Sequence, residues 1–163
     1  MKYLSIFTAI SIAMACHHPN RLTTGLEGTL IPAFDLMLPD SATHFNTRQL
    51  PGGQPTVFLY FSPYCPYCLA QVQDLIDNNL DTSKIRFVLV TAFPYSDMKA
   101  FYDKLNLARY RNLIVGTDSK NFFGDYFKTS QVPYLALYDG KGKLQQVNLG
   151  KMYLSEIRTI AFE

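Results

Sequence analysis

Apolar and polar positions alternate along the chain between short buried runs and amphipathic stretches. The clearest run, Val57 to Phe61, contains no polar residue beyond a tyrosine and lies between Gly52-Gly53 and Ser62-Pro63. This predicts a strand buried on both faces of a parallel or mixed sheet. From Pro66 the period changes. Leu69, Val72, Leu75 and Ile76 recur at three- and four-residue spacing, with Gln71, Asp74 and Asp77 on other faces, as in an amphipathic helix. Further on, Ile85 to Thr91 reads as a second buried strand, and Asp97 to Leu107 as a helix with Met98, Phe101, Tyr102 and Leu105 inward. Asn112 to Gly116 follows as a short strand and Asn121 to Phe127 as a short aromatic helix. Tyr134 to Tyr138 and Leu144 to Asn148 are strands joined by Asp139-Gly140-Lys141-Gly142, a hairpin signal. A helix from Leu154 to Phe162 closes the chain. Ahead of the central strand, Ala33 to Leu38 predicts a strand, Pro39-Asp40-Ser41 a turn, and the next residues a short second element. The order β-α-β-α-β-(α)-β-β-α behind an N-terminal strand or hairpin describes an α/β sandwich.

The first residues follow another pattern. Lys2 is a minimal positive start, and Tyr3 to Ala15 is an uncharged, mostly apolar run. It is too short to span a bilayer, which takes about 17–25 residues, but suits the apolar region of a signal peptide. Ala13-Met14-Ala15 is a small-x-small cleavage site followed by Cys16. The string resembles a bacterial lipobox, with Ala13 in place of the usual leucine, and this implies lipidation of Cys16. We therefore expect a signal peptide over 1–15, a polar tether over 16–27 and one domain over 28–163, placed outside the cytoplasm and held to the membrane by lipid. With 163 residues, 48% hydrophobic, the chain has enough apolar mass for one core. A net charge of +2 is too small to point to nucleic acid. His17 and His18 read as solvated residues of the tether.

The strand-to-helix corner carries Cys65 and Cys68, with Pro66 at the first helical position. A thiol at a helix start faces unpaired backbone N–H groups and the positive end of the helix dipole, and both favour thiolate. The three-residue spacing places Cys68 one turn away. Cys65 is then the expected nucleophile, and Cys68, further inside the helix, the resolving thiol. A structural bridge across three residues would constrain little chain. A zinc site would need two further ligands, and His17, His18 and His44 are not at ligand spacing. No metal or bound cofactor is expected; the redox group is the Cys65–Cys68 pair itself.

A buried strand, CxxC at a helix start and a proline (Pro133) opening the penultimate strand resemble the thioredoxin fold. The IPAFDLMLPDS preface, the extra strand–helix unit before Pro133 and the LYDGKGKL hairpin are similar to its TlpA/ResA and redoxin branch, which comprises membrane-anchored extracytoplasmic thiol–disulfide oxidoreductases. The resemblance implies a central mixed sheet flanked by helices, with an N-terminal strand extension and a βα insertion before a cis proline at Pro133. It implies that Val132 offers backbone groups to a substrate peptide, and that Tyr64, Pro66, Tyr67 and Tyr134 surround the thiol as a docking surface. The expected partners are protein thiols and disulfides and an upstream membrane electron carrier, with the protein acting as a monomer.

Three departures stand out. Tyr64 replaces the usual tryptophan. Leu59 stands where thioredoxins carry a buried aspartate. Gln71 replaces the glutamate that anchored reductases often carry three residues after the second cysteine, and an amide cannot take a proton. Asp74 is the next candidate acceptor. Two other readings compete. One is a thiol peroxidase, although Tyr67 and Ala70 occupy the positions where peroxiredoxins have Thr or Ser and Cys. The other is a redox-inactive or metal-carrying module, for which copper chaperones of this fold use CxxxC and a distal histidine, whereas His44 here precedes the pair.

Overall fold

The computed structural model describes residues 22–162. The expected signal peptide, Cys16, His17 and His18 lie outside the described residues. Seven strands form one mixed sheet in the order β2-β1-β5-β4-β3-β6-β7. They are β1 (Asp35–Met37), β2 (His44–Asn46), β3 (Thr56–Tyr60), β4 (Arg86–Thr91), β5 (Leu113–Thr117), β6 (Tyr134–Tyr138) and β7 (Leu144–Leu149). Strands β3, β4 and β5 are parallel; β6 runs antiparallel to β3, β7 to β6, and β1 to both β2 and β5. The helices are α1 (Pro66–Asp77), α2 (Tyr95–Lys104), α3 (Phe122–Phe127) and α4 (Leu154–Ala161). The architecture is the expected α/β sheet with an N-terminal hairpin extension and an inserted strand–helix unit.

Strands β3, β4 and β6 are buried throughout because both faces of the central sheet are covered. Val57, Leu59, Phe87, Leu89, Leu135 and Leu137 point to one core with α1, α2 and α4. Phe58, Tyr60, Val88, Val90, Tyr134, Ala136 and Tyr138 point to the other, which α3 and the N-terminal Phe34 and Leu36 close. The two-residue alternation of strands assigns each side chain its face.

Local chemistry sets the boundaries. The Asp40 carboxylate accepts the N–H groups of Ala42 and Thr43, closing the β1–β2 turn. Asp139 accepts those of Lys141 and Lys143, and Gly142 at φ 73° completes the β6–β7 hairpin. Helix α2 starts at Tyr95, earlier than the pattern suggested, because Pro94 serves as its N-cap; a 3-10 turn, Leu107–Arg109, replaces its expected last residues. Residues ahead of Gly28 also pack on the domain. Leu22 bridges Val147, and the Gly28 N–H donates to the Leu144 carbonyl at 2.8 Å, so residues 22–30 line the β7 edge.

Candidate active site

The corner between β3 and α1 forms as the pattern required, since Ser62-Pro63 ends the apolar run and Pro66 opens the helix. Cys65 is the N-cap of α1, and its Sγ accepts the Cys68 N–H at 3.4 Å. The Cys65 thiol is aimed at the Val132 carbonyl oxygen, 3.9 Å away. The Val132–Pro133 bond is cis and brings the start of β6 against the thiol. Both cysteines are free thiols, Cys65 half-buried and Cys68 at 0% exposure.

Cys68 belongs to the apolar core that also holds Leu59, Val72, Leu75 and Leu135. Burial pushes its thiol up to about 12, reinforced by Cys65 and opposed by a hydrogen bond from the Ser62 backbone. The leucine at position 59 is fully buried in the same core.

Gln71 departs from the expectation of a solvent-facing residue. It is 0% exposed, one turn beyond Cys68 on the same face. Its amide Nε2 donates to the Met152 carbonyl at 2.8 Å, and its Oε1 accepts the Met152 N–H at 2.7 Å. The side chain thus ties α1 to the loop before α4, a pairing that needs one donor and one acceptor on the same group. Asp74 is likewise engaged: Oδ2 accepts the Leu154 N–H at 3.1 Å, and Oδ1 faces Lys151 Nζ at 3.4 Å. Six residues beyond Cys68, it lies on another face of the helix. Neither side chain is placed to take the Cys68 proton.

Around the thiol, Tyr64 and Tyr67 stand out at 70% exposure each, with Pro66 exposed between them. Two residues that sequence reasoning missed support Tyr64. Phe93 packs against it edge-on, with ring centroids 5.6 Å apart. The nearby Asp97 carboxylate holds the phenol above its ordinary value. Both lie just past β4, at the C-terminal edge of the parallel strands, where α/β sheets gather their sites. Tyr134 corrects the expected docking set. It is 3% exposed and turned to the opposite face, against Phe123 and Phe127, because alternation from Leu135 places it there. His44 lies on edge strand β2, four strands from the cysteine corner.

No protein-family model matches the sequence, and no curated protein matches it. Solved structures do match. A secreted disulfide oxidoreductase from Mycobacterium tuberculosis, described as homologous to E. coli DsbE, superposes with a TM-score of 0.64 at 22% identity, covering 78% of this chain and 93% of that one. The exposed lipoprotein thioredoxin of Streptococcus pneumoniae gives 0.61 at 22% identity, covering 79% and 98%. StoA from Bacillus subtilis gives 0.60 at 18% identity, covering 79% and 96%. The fold is that of thioredoxin. In thioredoxin-fold terms, α1 is the helix that presents the cysteine pair, and the β1–β2 hairpin extends the sheet beyond β5.

Proposed function

We propose that this protein is an extracytoplasmic thiol–disulfide oxidoreductase, lipid-anchored through Cys16, that exchanges disulfides with cysteines of other proteins through Cys65 and Cys68. One observation carries the reading: a half-exposed thiol at the N-cap of α1, against the Val132 carbonyl, with a second thiol one turn inside. The similar structures described as a disulfide oxidoreductase and an exposed lipoprotein thioredoxin agree with it in kind and in location.

The chemistry follows from the positions. The Cys65 thiolate attacks one sulfur of a client disulfide, forming a mixed disulfide and releasing the other client sulfur as thiolate, which takes a proton. Cys68 then loses its proton and attacks Cys65 Sγ, closing Cys65–Cys68 and freeing the second client thiol. The client gains two electrons and the protein loses them. A membrane electron carrier returns the pair to the dithiol; run backwards, the same steps oxidise clients. Tyr64 and Tyr67 supply apolar contact beside the sulfur. Val132, whose N–H has no protein acceptor among the described residues, supplies backbone pairing. The dry pocket around Cys68 keeps this thiol protonated until the mixed disulfide forms, so resolution awaits water or a client group.

Trapping tests the assignment. The Cys68→Ala variant should accumulate mixed disulfides with oxidised polypeptides and Cys65→Ala should not, read by non-reducing electrophoresis and mass. Mixed disulfides forming only in Cys65→Ala would reverse the roles.

A further inference from the structure

We infer that Gln71 is a positioning residue for exchange with polypeptide disulfides: through the loop before α4, it fixes where Val132 stands relative to the Cys65 thiol. This rests on the exchange reading above.

The two sides of the reactive cleft belong to distant parts of the chain. Cys65 opens α1, and Val132 lies just ahead of β6 with its carbonyl oxygen 3.9 Å from the thiol. The last β3–β6 pair is Tyr60 with Tyr134, so Val132 and Pro133 lie beyond the hold of that ladder. Proline has no N–H, and its carbonyl is the one backbone group left to anchor it. The Pro133 carbonyl accepts the Gly150 N–H at 2.8 Å. Gly150 is fixed in turn, because its own carbonyl accepts Asn148 Nδ2 at 3.0 Å. At φ 92° it turns the chain off the end of β7, a conformation that glycine takes without strain.

Two residues further on, Gln71 ties the same loop to α1 through both backbone groups of Met152. The links close a ring that runs from Cys65 along α1 to Gln71, then through Met152, Gly150, Pro133 and Val132 back to the thiol. Apolar packing also presses α1 onto the sheet, but that force is non-directional. The paired amide is directional, and its donor and acceptor together set the helix in register with the loop. Gln71 lies six residues from Cys65, about 9 Å along the helix, and acts on the thiol only through this ring. A client chain has to meet the thiol and the Val132 backbone at once, whereas a small disulfide needs only the thiol. Loosening the ring therefore selects against polypeptides, and a displacement of about 1 Å at the cleft costs up to about a hundredfold in rate.

The test uses the full chain in detergent, reduced, and follows the loss of its thiols by mass. One oxidant is a peptide whose central cysteine is disulfide-bonded to glutathione; the other is dithiodipyridine, a small aromatic disulfide. The readout is the ratio of the two second-order rate constants, peptide over small disulfide. Gln71→Met fills the same space without either bond and should lower the ratio about tenfold. Gly150→Ala strains the other end of the ring, with nothing within 4 Å of the added methyl, and should lower the ratio too. The double variant should fall no further than the weaker single one, because both cut one ring. Arg86→Met loosens the far end of the sheet and should keep the wild-type ratio, which separates positioning from lost stability. Should Gln71→Met not fold, Gly150→Ala decides by the same ratio. A ratio unchanged in these ring variants, or lowered equally in Arg86→Met, would overturn the inference. So would a double variant in which the two effects multiply. If wild type reacts with neither oxidant, the exchange reading itself fails and takes this inference with it.

Discussion

Gln71 turns the local argument into a number. Its amide is fully buried and makes one donated and one accepted hydrogen bond with the Met152 backbone. In Gln71→Glu, an ionised side chain still accepts the Met152 N–H but meets the Met152 carbonyl oxygen with a second acceptor. Only the protonated acid reproduces both bonds, so the folded state raises the carboxyl above its unfolded value of about 4.3. Fully buried carboxyls shift by up to about 3–5 units. One retained bond to the charged form brings the expected rise to about 2–3 units, or about 3–4 kcal/mol at about 1.36 kcal/mol per unit. The sign follows from linkage. Below the unfolded value the acid is protonated in both states and the variant matches wild type. The loss grows as pH rises through the unfolded value and is complete above the folded one. Urea unfolding of both proteins at pH 4 and pH 8 checks this. A variant as stable as wild type at pH 8, or weaker relative to it at pH 4 than at pH 8, would refute the reasoning.

Other consequences follow from the same geometry. With its thiol pushed up to about 12, Cys68 at pH 8 should be alkylated about a thousandfold more slowly in the native protein than after unfolding; equal rates by mass spectrometry would contradict its burial. Asp74→Asn keeps an acceptor for the Leu154 N–H and loses only the pairing with Lys151, so it should cost under about 1 kcal/mol and leave resolution of the mixed disulfide unchanged. A slowing of roughly a hundredfold would make Asp74 the proton acceptor after all. Arg86 is buried at the far end of the sheet and donates to the Pro51 carbonyl, Thr56 Oγ1 and Gln54 Oε1. Arg86→Met should lower stability by about 2–3 kcal/mol in thermal unfolding while exchange persists, and an unchanged Tm would show these bonds to be idle.

What could be read from the chain alone divides along physical lines. The β3–α1 corner and the β6–β7 hairpin were legible because period and turn residues are local signals, carried by Val57 to Phe61, Pro66 and Asp139 to Gly142. The face of Tyr134 was not legible, because YLALY is apolar at every position and alternation without contrast points nowhere. Gln71 looked solvent-facing because its partner, Met152, lies 81 residues away and offers only backbone. Phe93 and Asp97 had a usable signal, their place just after a parallel strand on the edge that carries the cysteines. Leu22 read as part of a polar tether because its partner Val147 lies far along the chain, and it instead bridges β7.

The central claim is that Cys65 and Cys68 work as one redox pair. Equilibrating the protein across dithiothreitol and glutathione buffers, alkylating the remaining thiols and counting them by mass tests it directly. The account predicts that both thiols disappear together along a two-electron curve, a tenfold change in the oxidised-to-reduced ratio for about 30 mV. Loss of one thiol alone, or a pair that stays reduced through the most oxidising buffer, would contradict it.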